Sequence, residues 1–215
     1  HVTLNLKLLY NQHNMKKIFL LLFFLFMVIK GYAQTSEQFF KNGNKKFDLH
    51  DYQGAILEYN KAIKLNPNIE LPCYNRGMAK DALQDYRGAI ADFNRAIEIN
   101  PNYAVAYFSR GNAKSELRDF RGSISDYDRA IEISPKYAEA YFNRGIAKGN
   151  LQDYNGAILD YNNAIAINPD FNVAYFNRGS SKYLLGDKEG ACLDWSKAGE
   201  LGFADAYNKI QTYCH

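Results

Sequence analysis

One block of landmarks returns every thirty-four residues along this chain. Asp51-Tyr52-Gln53-Gly54-Ala55-Ile56 is followed by Asp85-Tyr86-Arg87-Gly88-Ala89-Ile90, Asp119-Phe120-Arg121-Gly122-Ser123-Ile124 and Asp153-Tyr154-Asn155-Gly156-Ala157-Ile158, and an altered fifth copy is Asp187-Lys188-Glu189-Gly190-Ala191-Cys192. The first four copies run on to a proline, at Asn66-Pro67, Asn100-Pro101, Ser134-Pro135 and Asn168-Pro169, whereas the fifth ends in Leu201-Gly202. A fixed period of this length arises from stacked supersecondary units, each completed by its neighbour because none can bury its apolar face alone. The repeat constrains the architecture and leaves the binding partner open.

Each unit reads as two helices. From Glu139 to Leu151, Tyr141, Gly145 and Lys148 recur at three- and four-residue steps with Phe142 and Ile146 beside them, the spacing of an amphipathic helix. Asp153 then offers a capping carboxylate, and a second helix places Ala157, Tyr161, Ala164 and Ile165 on one face. It stops at Asn168-Pro169, because the residue before proline is pushed out of the helical region. Glycine inside a helix costs roughly 1 kcal/mol relative to alanine. The return of Gly43, Gly77, Gly111, Gly145 and Gly179 therefore needs a packing reason, and the expected one is close approach to Ala55, Ala89, Ala157 and Ala191 of the second helix. Arg and Asp alternate along these helices, as in Asp126, Arg129 and Glu132, and read as a solvated face with modest surface pairs.

Residues 1–33 stand apart. Met15-Lys16-Lys17, an apolar run from Ile18 to Ile29 and Gly31-Tyr32-Ala33 form a secretory signal pattern, with small residues where a signal peptidase reads. The run falls short of the about twenty apolar residues that span a bilayer. Residues 15–33 are read as the signal peptide and 1–14 as an upstream extension outside the fold, with an uncleaved N-terminal anchor as the alternative. The expected location is periplasmic or secreted, with no membrane insertion after cleavage. Without Lys7, Lys16, Lys17 and Lys30 of this leader, 22 basic residues face 23 acidic ones. Such a near-neutral chain with interspersed signs has no electrostatic footprint for nucleic acid.

In its repeated landmarks residues 36–202 resemble the tetratricopeptide repeat family, whose pattern is an aromatic, a Leu-Gly pair three residues later, then Ala, an aromatic, Ala and Pro. The fourth repeat supplies Tyr141, Gly145, Ala157, Tyr161, Ala164 and Pro169; the second, Cys73, Gly77, Ala89, Phe93, Ala96 and Pro101; the third, Tyr107, Gly111, Ser123, Tyr127, Ala130 and Pro135. The resemblance implies an all-α, right-handed superhelical solenoid of antiparallel helix pairs, with repeats at 36–69, 70–103, 104–137, 138–171 and 172–202. Arg76, Arg110, Arg144 and Arg178 stand where the family carries Leu. Their stems can pack while the guanidinium reaches the groove or a neighbouring Asp. The fifth repeat departs furthest, with Lys188 for an aromatic and Trp195 in the second aromatic place. It reads as a cap, closed by an amphipathic helix within 203–215 on Phe203, Ala206, Tyr207 and Ile210.

Chemistry-bearing constellations are scarce. With His50 and His215 as the only histidines after the leader, neither a Ser-His-Asp nor a Cys-His set is available, there is no phosphate loop, and a zinc site is not expected. The chain is read as a non-enzyme without cofactor or metal. Asp126 and Asp128 face different sides of a helix and read as solvated charges or caps. Cys192 and Cys214 bracket the cap; they form either a disulfide, worth roughly 3 kcal/mol in the chain-entropy picture, or two packed thiols. Cys73 lies on the core face as a packed thiol.

The resemblance implies protein or peptide binding in a concave groove lined by first helices, where an Asn one residue before the Leu holds the backbone of an extended peptide. The matching places are Asn75, Asn143 and Asn177, interrupted by Ser109 and replaced by Lys41 in the first repeat. An amide both donates and accepts, and so suits any backbone. Phe108, Phe142 and Phe176 lie beside this row and are expected either to form apolar pockets or to pack neighbouring repeats together. The carboxylate clamp known in the family needs added Lys and Arg beside the Asn; Val105, Phe108 and Phe142 stand there, so it is not carried over. The alternative reading is a structural scaffold or assembly factor of the cell envelope that uses its convex face or cap. Export is checked directly: N-terminal sequencing of the exported protein is expected to start at Gln34 or within a few residues of it, and a mature chain that keeps Met15 would overturn this.

Overall fold

The computed structural model describes residues 2–214, with side chains at 15–27 and 35–214. The readings of residues 1–14 and of the Gly31-Tyr32-Ala33 segment concern side chains outside the described residues. Among the described residues there are eleven helices and no strand: α1 (Val2–Asp48), α2 (Tyr52–Leu65), α3 (Glu70–Ala82), α4 (Tyr86–Ile99), α5 (Ala104–Glu116), α6 (Phe120–Ile133), α7 (Ala138–Asn150), α8 (Tyr154–Ile167), α9 (Asn172–Leu184), α10 (Lys188–Glu200) and α11 (Asp205–Tyr213). Two compact units result, His1–Arg76 and Gly77–His215. The side chains from Ile18 to Met27 are exposed. Among the described residues no helix is long and apolar enough to cross a membrane.

Punctuation of the helices is local and repeats. Asp51, Asp85, Asp119, Asp153 and Asp187 each cap a second helix by accepting the backbone N–H three residues on, at Gly54, Gly88, Gly122, Gly156 and Gly190. A Cβ at Gly156 would lie 2.1 Å from the Asp153 carboxylate, so the capping carboxylate itself requires glycine there. First helices end differently. His50, Gln84, Arg118, Gln152 and Gly186 all take positive φ, and behind Gln152 the Asp153 N–H reaches back to the Lys148 carbonyl at 3.0 Å. This left-handed closure favours glycine, and only the fifth repeat has it.

Within the first unit α1 packs on α2. Ser36, almost fully buried, donates to the Ala62 carbonyl at 2.9 Å, and the Tyr59 hydroxyl donates to Asn44 at 2.8 Å. In the second unit α5/α6, α7/α8 and α9/α10 are helical hairpins stacked in sequence order. The first helices also touch across repeats, α5 with α7 and α7 with α9, while no comparable contact joins α6 to α8 or α8 to α10. The first-helix layer is thus the more closely spaced one, and curvature places it on the inner, concave side.

The repeated first-helix glycine makes room for a ring. An added Cβ at Gly145 would lie 2.7 Å from the Tyr161 ring, and the same holds for Gly43 with Tyr59, Gly77 with Phe93 and Gly111 with Tyr127. The expected partner, a small alanine in the second helix, is therefore corrected: alanines such as Ala157 are buried, but the aromatic one turn later occupies the space. Only at Gly179 does the Ala191 backbone come as near as Trp195, both about 3 Å from the added Cβ.

At the C-terminal end Trp195 is the centre of the cap. It is buried with Ala191, Ala198 and Ala206, and Phe203, Ile210, Tyr183 and Cys214 pack around them. Its indole N–H points to the Phe176 carbonyl at 3.2 Å. The disulfide Cys192–Cys214, with Cα atoms 5.8 Å apart, ties the end of α11 to α10, and Cys73 is a buried thiol.

Gly145→Leu is expected to lower stability by roughly 1–3 kcal/mol or more through overpacking against Tyr161. Gly149→Ala, four residues along the same helix with nothing within 4 Å of the added Cβ, should leave stability unchanged or raise it by up to about 1 kcal/mol. Urea unfolding followed by circular dichroism separates the two, and equal midpoints would mean that the ring does not depend on the missing side chain.

Candidate functional site

Charged groups lie inside the stack as well as on it. Asp92, Asp126, Asp160 and Asp194 are buried at 1–5% exposure, one in each second helix from α4 to α10. Arg110 grips Asp126 through Nε and Nη2 at 3.0 and 2.5 Å, Arg144 grips Asp160 in the same way at 2.9 and 2.5 Å, and Arg178 grips Asp194 at 2.8 and 2.5 Å. Lys80 pairs with Asp92, and Lys114, Lys148 and Lys182 add a second cation to Asp126, Asp160 and Asp194, each at 2.8 Å. The solvated reading of Asp126 is thereby corrected, because its helix face turns toward the arginine of the paired helix. Asp128 is also in an ion pair, with Arg144 at 2.5 Å.

Each arginine holds two repeats at once. Besides the aspartate of its own hairpin, Arg110 donates to Asn94, Arg144 to Asp128 and Arg178 to Asn162, all on the preceding repeat's second helix. Arg76 likewise donates to Asn60 within the first unit. Burial works against the Arg144 charge, but Asp160 and Asp128 more than offset it and hold the guanidinium above its ordinary range. A Leu could fill the same stem volume but could not bridge, which accounts for the sequence departure at these four positions.

The concave side of the second unit contains a cavity of about 430 Å³. Asn112, Ser115 and Glu116 come from α5, Asn143 and Ile146 from α7, Asp81 from the end of α3, and the rings of Tyr86 and Tyr127 complete the wall. Its floor is an ordered amide pair: the Asn112 oxygen accepts from the Tyr127 hydroxyl and from the Asn143 amide, both at 2.8 Å. Burial pushes the Tyr127 hydroxyl up to about 12, so it is a neutral donor at physiological pH. Burial, with the nearby Glu116 charge second, raises the Asp81 carboxyl above the usual range.

The residues expected to line a groove divide into two groups. Asn143 lies on the cavity with part of its amide committed to Asn112, and Asn75 makes the equivalent bond to Asn44 at 2.9 Å in the first unit. At the corresponding place before Asn177 stands Ile146, which offers no acceptor, and Asn177 makes no side-chain hydrogen bond among the described residues. Phe108, Phe142 and Phe176 are half-buried between repeats: Phe108 meets Tyr127 and Tyr137, Phe142 meets Tyr161 and Phe171, and Phe176 meets Phe203. They are walls of the stack more than open pockets. Sequence reading missed Asp81, Glu116 and Asn112. The available signal was that these residues, unlike the arginines, break the thirty-four-residue pattern: Asp81 and Ser115 occupy one register, and Asn112, Met78 and Ile146 another. Among the described residues no group of three His, Cys, Asp or Glu side chains is placed to hold a metal ion.

Comparison with known proteins agrees with this geometry. A tetratricopeptide repeat family model matches residues 72–103 and 138–171, and a second model, described as a TPR repeat, matches 119–152. A crystal structure of MamA is 27% identical, with a TM-score of 0.72 over 77% of this chain and 96% of that one. MamA from Desulfovibrio magneticus RS-1 is 18% identical, with a TM-score of 0.74 over 78% and 94%. YrrB, described as a TPR protein with an unusual peptide-binding site, is 18% identical, with a TM-score of 0.70 over 80% and 90%. No curated protein sequence matches the chain. Residues 72–103 and 119–171 carry tetratricopeptide repeats within an all-α solenoid, the fold of a protein-interaction module.

Removal of Asp160 strands Arg144 and Lys148, so Asp160→Ala is expected to lower stability by about 3–5 kcal/mol. Asp128→Ala removes the half-exposed partner of the same arginine and should cost under about 1 kcal/mol. Urea midpoints of the two variants check this, and comparable losses would show that burial does not set the energetics of the cluster.

Proposed function

We propose that the chain is a non-catalytic module that binds an extended peptide or a protein segment along its concave groove. The supporting observation is the cavity on α5 and α7, where amide and hydroxyl groups are fixed by hydrogen bonds before any ligand arrives. Asn112, Asn143 and Tyr127 form one bonded set, which lowers the ordering cost of binding. The uncommitted part of the Asn143 amide and the Asn177 amide are the groups that meet a peptide backbone. Phe108, Phe142 and Phe176 act chiefly by holding neighbouring repeats in register, so that these amides stay aligned.

We further propose that the protein is exported. The Lys-Lys, apolar, Gly-Tyr-Ala leader supports this, and so does the Cys192–Cys214 bond, since disulfides persist in oxidising compartments. A scaffold reading that uses the convex face is favoured by a different observation: Leu159 and Leu193, on second helices, are 63% and 67% exposed.

The groove is tested with peptides selected on the full chain from a random-peptide library. Loss of the Asn143 and Asn177 amides removes neutral hydrogen bonds worth about 0.5–1.5 kcal/mol apiece. The doubly substituted Asn143→Ala, Asn177→Ala protein should therefore bind a selected peptide roughly tenfold more weakly. Because Asn143 also bonds to Asn112, Asn143→Ala should lower the unfolding midpoint while Asn177→Ala should not. Unchanged affinity in the double variant, with loss of binding on Leu159→Asp, would move the contact to the convex face.

A further inference from the structure

The second unit treats its carboxylates in two ways. Asp92, Asp126, Asp160 and Asp194, inside the stack, each have a lysine at 2.8 Å, and the last three an arginine as well. Asp81 and Glu116, which share the wall of the concave cavity, have no ion-pair partner among the described residues. They come from the ends of α3 and α5, so the stacking of two repeats brings like charges to one hollow. The solenoid therefore pairs its buried acids with cations, whereas the hollow lined by half-buried Asp81 and exposed Glu116 has no cation in its wall.

We infer that this cavity is a subsite for a basic side chain, lysine or arginine, of the peptide in the groove. The inference rests on the groove reading above and adds the chemistry of its partner. Size agrees: about 430 Å³ is ample for one long side chain. The lining also agrees. Two carboxylates accept, the Tyr86 ring lies alongside to take the apolar stem, and Asn143 in the same lining is left to meet the peptide backbone. A cation entering the hollow has three favourable effects. It ends the repulsion between Asp81 and Glu116, forms charge-assisted hydrogen bonds, and does so in a concavity whose walls concentrate the negative potential. Burial first, and the neighbouring acids second, raise the Asp81 carboxyl and the Tyr86 hydroxyl. An acidic side chain would meet the opposite situation, so the site discriminates by charge.

The experiment uses the full chain and an unbiased random-peptide library, with selected peptides titrated against wild type and against the isosteric double variant Asp81→Asn, Glu116→Gln. The selected peptides should share a lysine or arginine, and replacing it by alanine should weaken binding to wild type about tenfold or more. The double variant should lose the same factor for the basic peptide and bind the alanine peptide as wild type does. That coupling distinguishes direct contact from a structural effect. Peptides selected without a basic residue, or a basic peptide bound equally by wild type and the double variant, would overturn the inference and leave the groove reading standing. Failure to select any peptide would overturn both.

Discussion

The contact on which each repeat depends is a ring set against a glycine. Tyr59, Phe93, Tyr127 and Tyr161 lie over Gly43, Gly77, Gly111 and Gly145 so closely that a single added carbon would fall within 2.4–2.7 Å of the ring. The ring lies directly against the backbone it covers, and its bulk fixes the separation of the two helices. Every other repeated feature presupposes that geometry. The capping aspartates determine where a second helix starts, and the left-handed residue determines where a first helix stops, but only the packed ring decides how the two helices lie against each other.

Given the hairpin, the arginines join one repeat to the next. Buried ion pairs are weak sources of net stability, because desolvation consumes most of the Coulomb gain. Their contribution is directional. Arg144 can satisfy Asp160 and Asp128 together only if two successive second helices stand at the right distance and register. Apolar packing alone would tolerate some sliding of one hairpin on another, whereas a bidentate fork tolerates little. The half-buried phenylalanines fill the other side of the same seam, so polar bridges and aromatic contacts fix the stacking from two directions.

That stacking is what forms the groove. Close contact between first helices, without its counterpart among second helices, curves the second unit and brings side chains of successive repeats onto one concave surface. The amide pair of Asn112 and Asn143, thirty-one residues apart, exists only across such a seam. The same curvature brings Asp81 beside Glu116. The binding chemistry is thus a property of neighbouring repeats and not of any one of them. At the far end Trp195 and the Cys192–Cys214 bond close the stack, replacing the proline turn that would have led to another repeat.

The sequence by itself determined the helical pairs, their punctuation and the altered last repeat, because these follow from interactions within a few residues: helical periodicity, Asp153 as a cap, proline after Asn168, and the departures at Lys188 and Trp195. It also singled out the glycines as packing positions and the arginines as able to reach the groove or a neighbouring Asp, without showing that they bridge two repeats. It assigned the glycine to the wrong partner, since Ala157 and Tyr161 are four residues apart on one helix and their order along it does not say which one meets Gly145. It read Asp126 as solvated for the same reason: an aspartate on an amphipathic helix is ordinarily exposed, and only the position of Arg110 on the facing helix makes it a buried one. The tertiary structure alone decided which amides are committed and which remain available, and that Asp81 and Glu116 share a hollow. These residues lie thirty-five positions apart and belong to no repeated motif; what brings them together is the rotation from one hairpin to the next, which depends on packing between repeats and leaves no trace in the local pattern.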